Sequence, residues 1–130
     1  MKTKVRDTYE AHIFLGSLYE TNKVPFIHTA VTKFVAEIQD AFRLLIPIRV
    51  SKVEYICGSK YSECGYQLSV IDYPKINCTV EDIEEFMDFL ATSILKNFKQ
   101  KRVSLVTPTI TTMYESEEEY AEYPNENKRS

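Results

Sequence analysis

Two histidines, three cysteines and nine tyrosines carry most of the reactive chemistry available to this sequence. Nucleophilic catalysis needs a base held beside a Ser, Cys or Thr. Neither His12 nor His28 lies in a local motif that would bring it to Cys57 or Cys64. The thiols Cys57, Cys64 and Cys78 are odd in number and 7 and 14 positions apart, which fits neither a paired disulfide framework nor a zinc knuckle. A tetrahedral zinc site would require both histidines and distant thiols, so neither a metal nor a cofactor is expected. The acids Glu81, Asp82, Glu84 and Glu85 read as a solvated helix start facing the positive end of the helix dipole, not as a paired acid and base. On these grounds the chain is expected not to be an enzyme.

Binding chemistry is better supplied. The three glycines stand alone, so no glycine-rich loop is available to cradle a phosphate. The basic segment Lys96, Lys99, Lys101 and Arg102 is followed by hydroxyls at Ser104, Thr107 and Thr109. A guanidinium gives an anion a bidentate contact and hydroxyls donate to its remaining oxygens; the same residues also read as ordinary helix-end charge and a threonine-rich edge strand. Tyr19, Phe26 and Tyr61 fall between the periodic segments, where an aromatic ring can stack on a purine or pack a subunit interface.

The elements that would position these groups follow from hydrophobic spacing. Tyr9 to Leu15 reads as a first strand that stops at Gly16, and Ser17 to His28, with Asn22 and Pro25, reads as a long loop. Val31, Phe34, Val35, Ile38, Ala41, Phe42 and Leu45 share one helical face, with Thr29 as N-cap and Pro47 as terminator. Ile48 to Ile56 and Tyr66 to Tyr73 read as strands of a hairpin whose turn is bracketed by Gly58 and Gly65. Thr79, with Asp82 three residues on, opens a second helix along Val80, Ile83, Phe86, Met87, Leu90, Ile94 and Phe98. Arg102 to Val106 is a fourth strand. The expected fold is therefore α+β, in the β-α-β-β-α-β order of a ferredoxin-like or split βαβ domain, with two helices on a mainly antiparallel sheet.

Charge divides the chain. From Met113 onward six carboxylates face only Lys128 and Arg129, whereas residues 1–112 hold 14 basic and 13 acidic groups. The expected organisation is one ligand-binding domain over residues 1–114 and an acidic, disordered tail over 115–130. The near-neutral body lacks the broad basic face that duplex nucleic acid attracts. No run reaches the roughly 20 apolar residues of a membrane span, and a cytoplasmic location is expected.

One arrangement of short motifs resembles a known family. An opening strand ends in Ile13-Phe14-Leu15-Gly16, and Ile27-His28-Thr29 precedes a helix. A Gly65-centred turn leads to Val70-Ile71-Asp72-Tyr73-Pro74, and Gln100-Lys101-Arg102-Val103-Ser104 runs on to Thr107-Pro108. Over Tyr9 to Glu115 this pattern resembles the first family of phage anti-Thoeris proteins. The resemblance implies a non-catalytic sponge, a homodimer or homohexamer in the host cytosol, that captures cyclic ADP-ribose isomers made by bacterial immune TIR enzymes. It also implies separate sites for cyclic oligonucleotides.

Carried onto matching positions, the resemblance implies ligand contacts from Ser17, Tyr19, Tyr61, Tyr66, Asp72, Arg102, Thr107, Thr109 and Met113. Asp72 departs from the family, which has Asn there; a carboxylate can still accept from ribose hydroxyls. The alternative from another class is a protein-binding inhibitor whose acidic tail mimics nucleic acid against a host enzyme.

Overall fold

The computed structural model describes residues 1–71 and 77–117. Seven elements follow one another: β1 (Glu10–Gly16), α1 (His28–Ala41), β2 (Arg49–Ile56), β3 (Ser62–Ile71), α2 (Val80–Asn97), β4 (Arg102–Val106) and β5 (Thr111–Glu115). The strands form one antiparallel sheet in the order β2-β3-β1-β4-β5, and the two helices pack on one of its faces. The α+β class and the order of the first six elements are those expected. The sheet gains a fifth strand because Thr111, Thr112 and Tyr114, β-favouring residues, pair back onto β4 with Arg102 opposite Glu115.

Alternation decides which face is buried. Ala11, Ile13 and Leu15 of β1, Tyr66, Leu68 and Val70 of β3, and Val103 and Leu105 of β4 point to the helices. They meet Val31 and Val35 of α1 and Ile83, Phe86, Met87, Leu90 and Ile94 of α2. Full burial of such side chains stabilises the fold by about 1.5 to 3 kcal/mol each before entropy is charged against it. The residues between them, Glu10, His12, Phe14 and Gly16 on β1 and their neighbours, lie on the opposite face, which the helices leave uncovered.

α2 starts with the expected capping box: the Asp82 N–H donates to Thr79 Oγ1 at 3.1 Å and the Thr79 N–H donates to Asp82 Oδ2 at 2.9 Å. The reciprocal bonds satisfy two amides that a helix start otherwise leaves open. α1 differs from expectation. Its N-cap is Ile27 with no side-chain cap, so Thr29 lies inside the helix, and the helix ends at Phe42, leaving Leu45 74% exposed. The chain turns early because Ile46 must reach the core, and Gln39 Nε2 holds the turn by donating to the Ile46 carbonyl at 2.8 Å.

Between β1 and α1 the chain is tied down by its own backbone. Phe26 N–H donates to the Ser17 carbonyl at 2.9 Å, Glu20 N–H donates to the Lys99 carbonyl at 3.0 Å, and Leu18 bridges Pro25. Phe26 is thereby drawn into the core, 4.5 Å between ring centroids from Phe98. In the β2–β3 hairpin the turn lies at residues 57–61, with Gly58 at φ 76°, a conformation that favours glycine. Gly65 is not at that turn but in the middle of β3. No helix among the described residues is long and apolar enough to cross a membrane.

Candidate functional site

The uncovered sheet face carries one place where backbone is left bare. Gly16 of β1 pairs with Gly65 of β3, so two adjacent strands lack side chains at the same level. At Gly65 the gap is filled, because the Tyr55 ring lies 2.4 Å from the position a Cβ would take and the Leu15 carbonyl 2.3 Å from it. At Gly16 the gap is bounded by two oxygens: Glu63 Oε1 lies 2.8 Å and Gln100 Oε1 3.3 Å from that position.

Each of these oxygens is positioned by the fold. Gln100 follows α2 and is only 3% exposed; its Nε2 donates to the Leu18 and Phe98 carbonyls, both at 3.0 Å, which aims Oε1 at Gly16 to accept its N–H at 3.1 Å. Glu63 stands near the start of β3, opposite Tyr55, and its Oε2 accepts from the Tyr61 hydroxyl at 2.6 Å. The Tyr55 hydroxyl is shared between the Leu15 and Tyr66 carbonyls, at 3.2 and 3.3 Å. Burial and the negative Glu63 push its pKa up to about 12, so Tyr55 remains a neutral donor at physiological pH. Counting on from the Phe14–Ser104 pair brings Arg102 across from Gly16 on the other side, where it faces Glu115 at 3.7 Å. The absent side chain at Gly16 makes room for the half-buried Glu63 carboxylate to lie over the backbone beside the buried Gln100 amide oxygen, and a carboxylate so placed attracts a small cationic group from the solvent side.

The residues carried over by resemblance scatter around this site. Tyr61 orients Glu63, Arg102 flanks the floor, Ser17 follows it in the chain, and Met113, 55% exposed, lies on the same sheet face beside Ser104. Thr107 closes the β4–β5 turn, its hydroxyl donating to the Ile110 carbonyl at 2.9 Å, and Thr109 is exposed on that turn. Two placements depart from the expected ligand contact. Tyr66 is 5% exposed on the helix side of the sheet with its hydroxyl donating to the Phe26 carbonyl, and Tyr19 meets Phe26 edge to face and stacks against Phe98. Both rings fill core space because their strand parity, or the tied loop, turns them inward. Asp72 lies outside the described residues.

Sequence reading missed Glu63, Gln100 and Tyr55. The only signal was the pairing of glycines at Gly16 and Gly65, which becomes a signal once the two strands are known to be neighbours.

The chain matches no family of proteins by sequence pattern, and no curated protein matches it. Among solved structures its fold is similar to that of a phage SAM lyase in complex with S-methyl-5'-thioadenosine, with a TM-score of 0.68 at 19% identity over 90% of this chain and 96% of that one. It is likewise similar to a phage SAM lyase in the apo state, with a TM-score of 0.71 at 17% identity over 92% and 98% of the two chains. The expectation that the chain is not an enzyme is overturned, because the fold it takes is one in which a lyase is built. That expectation rested on the missing nucleophile-and-base motif, which speaks against acyl transfer but not against a cleavage whose reacting groups all belong to the substrate. Both similar structures are of a phage lyase, an activity different from the capture of cyclic ADP-ribose that the resemblance implied for this chain.

Proposed function

We propose that the chain is a lyase acting on a sulfonium nucleoside of the S-adenosylmethionine class, at the Gly16 floor. The observation that carries the reading is the Glu63 carboxylate seated where Gly16 has no side chain, beside the Gln100 amide oxygen. The similar fold of a SAM lyase, once with S-methyl-5'-thioadenosine bound, supports the choice of substrate.

The chemistry fits a site without a general base. In S-adenosylmethionine the leaving group is already charged. The substrate's own carboxylate oxygen forms a bond to the γ-carbon, the carbon–sulfur bond breaks, and its electron pair goes to sulfur. The products are S-methyl-5'-thioadenosine and a five-membered lactone, and no proton moves. The sulfonium and carboxylate lose their charges together, whereas the α-ammonium keeps its own throughout. Glu63 is suited to hold that ammonium, with Gln100 fixing the strand end beneath it, since an anchor on an unchanging charge fixes the amino-acid arm without favouring the ground state. Fixing the arm turns the carboxylate toward the γ-carbon, and positioning of this kind is worth several kcal/mol of barrier. A phage carrying such an enzyme would evade defence by destroying a nucleoside, not by storing it.

Incubation of the purified chain with S-adenosylmethionine, followed by mass spectrometry, tests the reading. S-methyl-5'-thioadenosine should accumulate in proportion to enzyme and time. Recovery of the substrate intact would overturn the proposal.

A further inference from the structure

At the other end of the uncovered face, four residues along β1 and roughly 13 Å from Gly16, a groove of about 340 Å³ opens between β1 and the end of β4. Glu10, His12 and Thr8 line one side of it, and Val106, Thr107 and Pro108 the other. It shares no lining residue with the Gly16 floor.

Hydrogen bonds from two neighbouring β3 residues hold the His12 ring. Gln67 Nε2 donates to Ser69 Oγ at 3.2 Å and lies 3.1 Å from His12 Nδ1, to which an amide nitrogen can only donate, and Ser69 Oγ lies 2.8 Å from the same Nδ1. Ser69 is 3% exposed, a hydroxyl buried on the otherwise open face. With Nδ1 occupied as an acceptor, the neutral ring carries its proton on Nε2. That N–H has no hydrogen-bond partner among the described residues, since the Glu10 carboxylate stands 3.9 Å away, beyond hydrogen-bond range. A fixed donor and a carboxylate acceptor thus face one concavity with space between them. Ser69 is too buried, and already bonded to Gln67, to serve as a nucleophile, so the arrangement is a binding device.

From this geometry we infer that the groove is a second small-molecule site, which holds the vicinal diol of a ribose. A carboxylate accepts from two adjacent hydroxyls at once, and an N–H beside it donates to one of their oxygens. Val106 and Pro108 supply an apolar wall for a flat base, which favours a nucleoside over the free sugar. The inference stands apart from the lyase reading, because neither Glu63 nor Gln100 takes part.

The test titrates the full chain, labelled with nitrogen-15 at histidine, with adenosine, 2'-deoxyadenosine and free ribose, reading the His12 ring resonances. The expected result is a saturable shift of the His12 Nε2 signal with adenosine, binding at least about tenfold weaker for the 2'-deoxy form, the size of one charge-assisted bond, and weaker still for ribose. Glu10→Gln should weaken adenosine by a similar factor. The double substitution Ser69→Ala with Gln67→Ala, which removes both groups facing Nδ1, should let Nδ1–H appear in the ring spectrum and weaken binding several-fold. A His12 ring unmoved by adenosine, or equal binding of adenosine and its 2'-deoxy form, would overturn the inference. Glu63→Gln separates the two sites: the His12 shift persists there whether or not the chain cleaves S-adenosylmethionine.

Discussion

The Glu63 carboxylate lies over Gly16, 2.8 Å from where a Cβ would be, although 47 residues of chain separate the two. A methyl at Gly16 would meet the far end of a flexible side chain, whereas one at Gly65 would meet the Leu15 carbonyl at 2.3 Å and the Tyr55 ring at 2.4 Å. Gly16→Ala should therefore leave stability within about 1 kcal/mol of the parent while lowering kcat/KM for the proposed cleavage at least about tenfold, because Glu63 must swing away. Gly65→Ala should cost about 2 to 3 kcal/mol, since backbone has to move. Urea denaturation beside the cleavage assay checks both, and equal loss of stability at the two positions would count against the open floor.

In the proposed reaction Glu63 would hold the ammonium of the substrate, and the Tyr61 hydroxyl holds Glu63. Glu63→Gln removes the charge but keeps the shape, so kcat/KM should fall about 10- to 100-fold, the range of a hydrogen bond between charged groups. Tyr61→Phe, which deletes only the hydroxyl that donates to Oε2 at 2.6 Å, should fall less, by about 3- to 10-fold. An ordering in which Tyr61→Phe is the more damaging would place the hydroxyl, not the carboxylate, against the substrate.

What the sequence disclosed and what it hid divide along physical lines. The Phe86–Leu90–Ile94 stripe and the Thr79–Asp82 cap are local, set within a few residues by helical geometry, and both stand in the fold. β5 escaped because Thr111 to Glu115 is short and becomes a strand only by pairing with β4. Tyr19 escaped for a related reason: a loop ring reads as exposed unless one knows that the Glu20 N–H is bound to Lys99 and that Phe98 waits beneath it. The site itself joins Gly16, Glu63 and Gln100 from three distant segments. A base beside a nucleophile is the local signature of acyl transfer, and the cleavage proposed for this site would use neither.

Asp82 couples the start of α2 to acid. Backbone hydrogen bonding from Thr79 and the Arg43 guanidinium, 2.9 Å away, hold its pKa below the ordinary 3.8. Its folded value is depressed, so the stability it contributes is present above pH 3.8 and is lost as the pH falls through the folded value. The parent should be more stable than Asp82→Asn at pH 6, and the gap should close below pH 3.8, as followed by thermal melting across that range. A gap independent of pH would mean that the cap acts by shape alone.

Tyr55 sets the alkaline side. Its folded pKa of about 12 exceeds the ordinary 10.0, so its contribution is complete below pH 10 and drains away as the pH climbs toward 12. Tyr55→Phe has no proton to lose, and its stability should decline less than the parent's across that interval. Other raised tyrosines, Tyr9 and Tyr114 among them, are common to both proteins and cancel in the comparison. Parallel decline of the two proteins in urea midpoints would remove Tyr55 from the account.

Gln100 connects the stability of the fold to the site. Its side chain satisfies the Gly16 N–H, the Leu18 carbonyl and the Phe98 carbonyl from a position 3% exposed. Gln100→Leu keeps most of the volume but leaves those three backbone groups without their partner, at about 1 to 3 kcal/mol for each group that water cannot reach. The loss should fall unevenly: amide exchange at Gly16 and through the 17–27 loop should accelerate more than at Leu68 or Leu90, which the core holds independently of Gln100. Cleavage should drop with it, because the oxygen that faces Gly16 is gone. If exchange rises uniformly across the chain, Gln100 is an ordinary core residue, and the ammonium must then be held by Glu63 alone.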